Sequence, residues 1–290
     1  MKILIFGAGG QLGKCFVEEL RGSSFLVNSF ERSDLDISSF FEVKKTILKY
    51  KPDFVINASA YTNVDASEAN KEEANKINNI AVLNLAKSCA EINSTLIHFS
   101  TDYVFDGSSR VPYEEGDKTN PQCYYGMSKL NGEQAIINSK CNYLIIRTSW
   151  VFSAYGNNFL KSMIKLLPKN ELSIVNDQIG APTYAPDIAK IVLQILPQIY
   201  KKQISSLYHY TGASSCSWAD FAIEIFEQLK KNSNIKKVPK IIKIKSDDYP
   251  TAANRPMFSS LNCSKIEKEF NVDLSKWKKG VTKVIKDINL

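Results

Sequence analysis

Residues 2–20 read KILIFGAGGQLGKCFVEEL, and the order of residue types along them decides the fold. Ile3–Phe6 is a short, continuously apolar run, the pattern of a strand whose two faces are both covered by helices. Directly after it comes Gly7-Ala8-Gly9-Gly10-Gln11-Leu12-Gly13, which contains G-x-x-G-x-x-G and enters a helical pattern ending near Leu20. Glycines such as Gly7 and Gly10 permit the tight turn and let the backbone approach a pyrophosphate, while the helix N-terminus aims unpaired N–H groups at the anion. Strand, glycine loop and helix in that order predict a dinucleotide site opening a Rossmann-type unit.

The alternation continues outward. Phe25–Asn28, Phe54–Asn57, Leu96–Ser100 and Tyr143–Arg147 read as further strands, with longer helical patterns between them. One such helix has Phe40, Val43 and Ile47 at i, i+3 and i+7 after Ser38 and Ser39, and stops before Pro52. Past Trp150 the rhythm breaks: helices are expected at Phe159–Leu167, Asp187–Leu196, Trp218–Leu229 and Trp277–Ile288, with strands at Leu172–Val175 and Tyr208–Thr211. The expected fold class is α/β: a Rossmann-type doubly wound parallel sheet over residues 1–150, with a smaller α/β lobe over 151–290 whose segments can interleave with it.

A chain of 290 residues with 44% hydrophobic and 23% charged residues has the balance of a globular protein. Its net charge of +7 raises nucleic acid as a partner, but the lysines are spread out. The densest stretch, Lys230–Lys245, lacks interleaved aromatics and reads as a solvated face. Cys15, Cys89, Cys123, Cys141, Cys216 and Cys263 are scattered without metal-ligand spacing, so free thiols and no metal are expected. The opening apolar run is too short for a signal-peptide core or a membrane span, and the expected location is the cytoplasm.

Two clusters carry chemistry. Tyr125 and Lys129 stand at i and i+4, on one face of a helix, where a cation beside a phenol favours its ionised form and brings it toward working pH. Tyr124 is a competing phenol one position away. Ser100-Thr101-Asp102 ends an expected strand, where ligands of open parallel sheets bind, and Thr101 offers a hydroxyl to a carbonyl oxygen. After the second strand, an acid among Glu31, Asp34 and Asp36 would hold a ribose hydroxyl and favour NAD, whereas Arg32 would pair with a 2′-phosphate and favour NADP; both types are present. His98 and His209 read as satisfied core histidines, and Trp218 and Trp277 as packing residues.

GAGGQLG at 7–13, LDI at 35–37, PDFVINASAYTNVDASE at 52–68, STDYVFDG at 100–107, YGMSKLNGE at 125–133, RTSWVF at 147–152, DQIGAPT at 177–183 and RP at 255–256 together form a specific set. Nearly end to end, the chain resembles the dTDP-4-dehydrorhamnose reductases, a family of extended short-chain dehydrogenases. The resemblance implies reduction of the 4-keto group of dTDP-6-deoxy-L-lyxo-4-hexulose to dTDP-L-rhamnose with NADPH or NADH. By position it implies that Gly10, Gln11 and Leu12 hold the cofactor pyrophosphate and Asp36 and Ile37 flank the adenine. Ala60, Tyr61 and Thr62 would line the cofactor's approach, and Tyr125 and Lys129 would touch its ribose. Thr101, Tyr125 and Lys129 are the implied catalytic trio. Thr101 and Asp102 would contact the sugar, Trp150 would pack against it, and Asn158 and Arg255 would hold the nucleotide diphosphate. The implied partner is the nucleotide sugar, with no nucleic acid and no membrane; the sequence leaves open whether the chain forms a homodimer. Ser59 departs from the family's more usual Ala, and the tail after Asp273 is unusually rich in lysine. Two other classes stand beside this reading. One is an epimerase with tightly held NAD on the same scaffold. The other is a non-catalytic regulatory subunit, against which the intact trio argues.

Overall fold

The computed structural model describes residues 1–202 and 205–288; residues 203–204 and 289–290, the last two of the expected lobe, lie outside the description. The first half runs β1 (Lys2–Phe6), α1 (Gln11–Leu20), β2 (Leu26–Phe30), α2 (Phe40–Tyr50) and β3 (Phe54–Asn57). Short helices α3 (Val64–Ala69) and α4 (Lys71–Asn75) lead through a π-helical turn, Lys76–Ile80, into α5 (Ala81–Glu91). Strand β4 (Thr95–Thr101) ends in a 3₁₀ turn at Asp102–Val104, followed by α6 (Tyr124–Ile137) and β5 (Asn142–Thr148).

Beyond this come β6 (Val151–Phe152), α7 (Phe159–Lys165), β7 (Glu171–Val175), β8 (Ile179–Gly180), β9 (Thr183–Tyr184) and α8 (Ala185–Lys202). The chain finishes with β10 (Ser206–His209), β11 (Cys216–Ser217), α9 (Trp218–Asn232), β12 (Lys240–Ile244), α10 (Ser264–Phe270) and α11 (Trp277–Asp287).

The main sheet is six-stranded and parallel, in the order β10-β5-β4-β3-β1-β2. Strands β3 and β4 are buried along their whole length, as central strands covered by helices on both faces are. One face packs on α1, α8 and α10 through Phe16, Ile188, Ile195 and Ile266; the other packs on α2 and α5 through Val43, Ile47, Leu85 and Cys89. A third core joins α7, α9 and α11 around Phe221, Phe226 and Trp277 and carries the small parallel pair β7–β12. Among the described residues no helix is long and apolar enough to cross a membrane.

The strand order turns back between β1 and β3: the chain leaves β1 toward β2 on one side and leaves β3 toward β4 on the other. Such a reversal opens a crevice at the carboxyl ends of the strands, where ligands of this architecture bind.

Several boundaries differ from the sequence reading. The second strand is Leu26–Phe30, not Phe25–Asn28, because Leu26 N–H bonds Met1 O and sets the register Leu26↔Lys2. As an edge strand it is only partly covered, so its apolar residues do not mark its ends. Strands β4 and β5 each extend one residue further at both ends than expected. The expected strand Tyr208–Thr211 is Ser206–His209, because the chain turns off once His209 has paired with Arg147. Helix α8 continues six residues past Leu196, through Pro197. Proline costs a backbone hydrogen bond there, but Ile199 is buried against the sheet and holds the last turns down. Strand β10 and helices α8 and α10 all serve the main sheet, so the segment 151–290 lends it one strand and two covering helices.

Helix α6 is tied to the sheet by a buried pair: Arg147 of β5 donates from Nε and Nη2 to the two oxygens of Glu133 at 2.9 and 2.7 Å. Removing one partner of such a pair leaves an unmatched charge in the interior and costs about 3–5 kcal/mol. Arg147→Met is expected to lower the unfolding free energy by that amount, measured by urea titration, and Arg147→Met with Glu133→Leu to recover most of it.

Candidate active site

The glycine loop lies at the reversal point. Gly7 has φ +79, and a Cβ there would strike Ser59 at 2.6 Å, so the turn from β1 toward α1 requires glycine. A Cβ on Gly13 would run into the carbonyl oxygen of Gly7, which is why helix and turn can lie so close. Gly10 is the N-cap of α1 and has no side-chain cap, which leaves the first-turn amides for an anion.

In front of the loop is a cleft of about 350 Å³ lined by Gly7, Gly9 and Gly10 from the first turn, Glu31, Arg32, Asp36 and Ile37 from the segment after β2, and Ala58, Ser59 and Ala60 after β3. Asp36 accepts from Ser38 N–H at 2.8 Å, and that bond, followed by the Ser38 hydroxyl and Arg32, holds its carboxyl below the usual range despite some burial. Arg32 reaches both Asp36 and Glu73 at 3.7 Å. A flat, uncapped amide turn beside a wall bearing both an acid and an arginine fits a nicotinamide dinucleotide.

Past the carboxyl end of β4 the chemistry changes. Thr101 Oγ1 accepts from Tyr103 N–H at 3.2 Å and donates to Asp102 Oδ1 at 3.0 Å. Tyr125, in the first turn of α6, packs edge-on against Tyr103 with ring centroids 5.7 Å apart. Burial pushes the Tyr125 phenol well above its ordinary range; the neighbouring Thr101 hydroxyl partly offsets that. The phenol is therefore protonated at neutral pH and able to donate. Asp102 is pushed up to about 6, chiefly by burial, with the nearby Ser259 and Thr101 hydroxyls acting the other way. Asp102 Oδ2, Ser100 Oγ and Thr148 Oγ1, at the ends of β4 and β5, are buried without a protein partner. Unpaired polar atoms of this kind at a strand end mark where a polar ligand completes the site.

The competing phenol is separated. Tyr124 N–H donates to Glu68 and its ring lies under Lys71 Nζ at 5.5 Å, away from the Thr101 hydroxyl. Lys129 corrects a second expectation: its Nζ is turned to β4, donating to Phe99 O at 2.6 Å and lying 3.2 Å from His98 Nε2, and does not charge-stabilise the phenol. Strand β3 ends at Asn57 opposite His98, which leaves that stretch of β4 open to the buried amine. Burial lowers Lys129 to about 8, and Glu133 pulls the other way.

Other expected contacts resolve differently. Asn158 Nδ2 donates to Gln11 Oε1 at 2.7 Å and to Ser153 O at 2.8 Å, while its Oδ1 caps α7 through Lys161 N–H. Its amide joins α1 and α7 in this structure. Arg255 donates from Nη2 to Asp65 at 2.7 Å and stands beside Tyr103, with its Nε unpaired. Trp150 stacks on Trp218 with centroids 3.5 Å apart, and its backbone has φ +45, a conformation that costs a bulky residue energy. Leu12 packs into the core under α1. Of Ala60, Tyr61 and Thr62, only Ala60 lines the cleft; Thr62 is exposed. The Tyr61 backbone is gripped by Asn78, whose Oδ1 accepts from Tyr61 N–H at 2.9 Å.

Asn78 escaped the sequence reading. It is buried on the π-helical turn and donates to both Tyr61 O and Ser128 Oγ at 3.0 Å, linking the loop after β3 to α6. No local signal marked it, because Asn75, Lys76 and Asn79 beside it are polar too. His98, read as a core residue, touches Lys129, and Asn57 Nδ2 lies 3.1 Å from its Nδ1. His209 is pushed down to about 3 by burial, then by Arg147, and faces Tyr113 O. Among the described residues no set of His, Cys, Asp and Glu could hold a metal ion.

The sequence profile described as the RmlD substrate binding domain matches residues 1–290. A dTDP-4-dehydrorhamnose reductase of Aggregatibacter actinomycetemcomitans is 39% identical over 287 residues, 98% of each chain. Among solved structures, a dTDP-4-dehydrorhamnose reductase from Clostridium acetobutylicum superposes with TM-score 0.92 at 36% identity, covering 99% of both chains. The Bacillus anthracis dTDP-4-dehydrorhamnose reductase in complex with NADP gives 0.91 at 32% identity over 99% of both.

Asp102 makes the fold sensitive to pH. Folding raises its pKa from 3.8 to about 6, so the folded state binds this proton more tightly, and the stability gained in acid is lost as pH rises from about 4 through 6. Asp102→Asn is expected to flatten that slope and to match or exceed the parent at pH 8, by at most about 3 kcal/mol. Urea midpoints of both proteins near pH 5 and pH 8 measure it.

Proposed function

Because the chain belongs to the RmlD substrate-binding-domain family and aligns along its whole length with dTDP-4-dehydrorhamnose reductases, we propose that it reduces the 4-keto group of dTDP-6-deoxy-L-lyxo-4-hexulose to dTDP-L-rhamnose. It is an NAD(P)H-dependent oxidoreductase of nucleotide-sugar biosynthesis. The observation that carries the residue roles is the meeting of Tyr125, Thr101 and Asp102 at the end of β4, one strand over from the glycine-lined cleft.

When bound, the nicotinamide supplies the hydride. The amides of Gly10, Gln11 and Leu12 at the α1 N-terminus would take its pyrophosphate, with Asp36, Ile37 and Ala60 along the adenosine side. At the sugar, the Tyr125 phenol gives its proton to the ketone oxygen as that oxygen gains charge. Its raised pKa keeps it loaded at neutral pH, and the Thr101 hydroxyl, once turned from Asp102 Oδ1 to the phenolic oxygen, would favour the tyrosinate left behind. Lys129, one turn along α6, would recharge the pair from the cofactor side. Asp102 Oδ2, Ser100 Oγ and Thr148 Oγ1, which have no protein partner, are the groups we assign to the sugar hydroxyls. Trp150, held on Trp218 at the edge of the second lobe, would cover the ring. Arg255, with one unpaired nitrogen, would meet the diphosphate.

We assign the reaction to the cytoplasm, in keeping with cysteines that are all unpaired and, apart from Cys216, buried. A homodimer, which the resemblance allows, is decided by the particle mass in solution.

The reaction is tested by following NADPH and NADH oxidation with the 4-keto sugar and identifying the product by NMR. Tyr125→Phe is expected to lower kcat by about a hundredfold or more with substrate binding largely kept, while Tyr124→Phe leaves kcat near the parent value. Turnover without added reductant, by protein that copurifies with NAD, would instead establish an epimerase.

A further inference from the structure

His98 is fully buried in the middle of β4, and its two ring nitrogens have different neighbours. On one side Asn57 is oriented by its own partner: Oδ1 accepts from Ser59 N–H at 3.1 Å, which turns Nδ2 toward His98 Nδ1 at 3.1 Å. An amide nitrogen only donates, so Nδ1 must present its lone pair and the proton of the neutral imidazole sits on Nε2. That proton faces Lys129 Nζ at 3.2 Å. An ammonium there would set two donors head to head; an amine, with a lone pair toward the ring and a proton toward Phe99 O, satisfies every atom.

We propose that His98, its tautomer fixed by Asn57, is a positioning residue that holds Lys129 in the resting site as a neutral amine. Lys129 then gains its charge only as Nζ leaves the imidazole for the cofactor and the phenol and takes up a proton from solvent water. The inference deepens the reductase reading and rests on it for the role of Lys129, but the tautomer itself does not depend on any turnover.

The surroundings are consistent with this assignment. Glu133, one turn further along α6, is the carboxylate acting on Lys129, and its charge is already matched by two bonds from Arg147 of β5. Tyr125 lies one turn before on the same helix and is kept protonated by burial. Asp102, at the end of β4, is raised by burial only to about 6 and so carries most of its negative charge at neutral pH, but it sits beside Thr101 and not beside Lys129. Asn57 of β3 and Asn78 of the π-helical turn are uncharged. Burial disfavours the charged form of both Lys129 and His98.

The chain has two histidines, so long-range proton–nitrogen NMR of the cofactor-free protein resolves both rings. His98 is expected neutral with its proton on Nε2, and Lys129→Met is expected to move its resonances while leaving those of His209 in place. A proton on Nδ1, or His98 resonances indifferent to Lys129→Met, overturns the proposal whether or not the enzyme turns over the sugar. In the pH profile of kcat/KM, His98→Met, which cannot donate to the amine, is expected to move the Lys129 limb up by about half to one unit. His98→Gln, which can offer an amide N–H, is expected to restore it. A limb that stays put or moves down in His98→Met is the contrary result, and the NMR experiment stands on the unaltered protein if that variant does not fold.

Discussion

The Glu133–Arg147 pair is the interaction on which the site depends. Strand β4 supplies Thr101 and Asp102, while helix α6 supplies Tyr125 and Lys129. The two elements keep a fixed height relative to one another because Arg147, on the strand next to β4, grips Glu133 of the helix with two parallel hydrogen bonds. Hydrophobic contacts beneath α6 are not directional, and the apolar residues of this helix do not gather on one face. A bidentate pair fixes what they leave free, and the register it sets brings Lys129 Nζ to Phe99 O.

The sheet, the crossover helices and the dinucleotide loop were legible because each has a local signature: an apolar run of strand length, a helical period, glycines between them. The pattern is written by residues close together in the chain. Where an element's limits are set by distant partners, the reading slipped. Strand β2 takes its register from β1, and α8 passes Pro197 because Ile199 is buried against a sheet built from far earlier residues. Strand β10 belongs to the first sheet, although nothing in Ser206–His209 distinguishes it from a strand of the second lobe.

The same distinction holds in the site. Tyr125, Thr101 and the glycine loop could be singled out because their spacing or position carries meaning. The commitments of neighbouring polar groups could not. The partners of Asn158, Gln11 and Ser153, are brought to it from elsewhere in the chain. Lys129 reads as a cation beside a phenol until β4 presents a carbonyl and an imidazole to it. Asn78 owes its role to a π-helical turn, a local widening that residue spacing does not announce.

Strand β10 has one more consequence, for how the molecule is made. It lies at the end of the sheet against β5, and some sixty residues, comprising the first elements of the second lobe and all of α8, separate the two in the chain. During synthesis β5 emerges from the ribosome with its outer edge bare, and an unpaired edge invites pairing with another chain. That edge is closed only when residue 209 has been made, so the nucleotide-binding half cannot complete its sheet before much of the other lobe exists. The two halves of this fold mature as one unit.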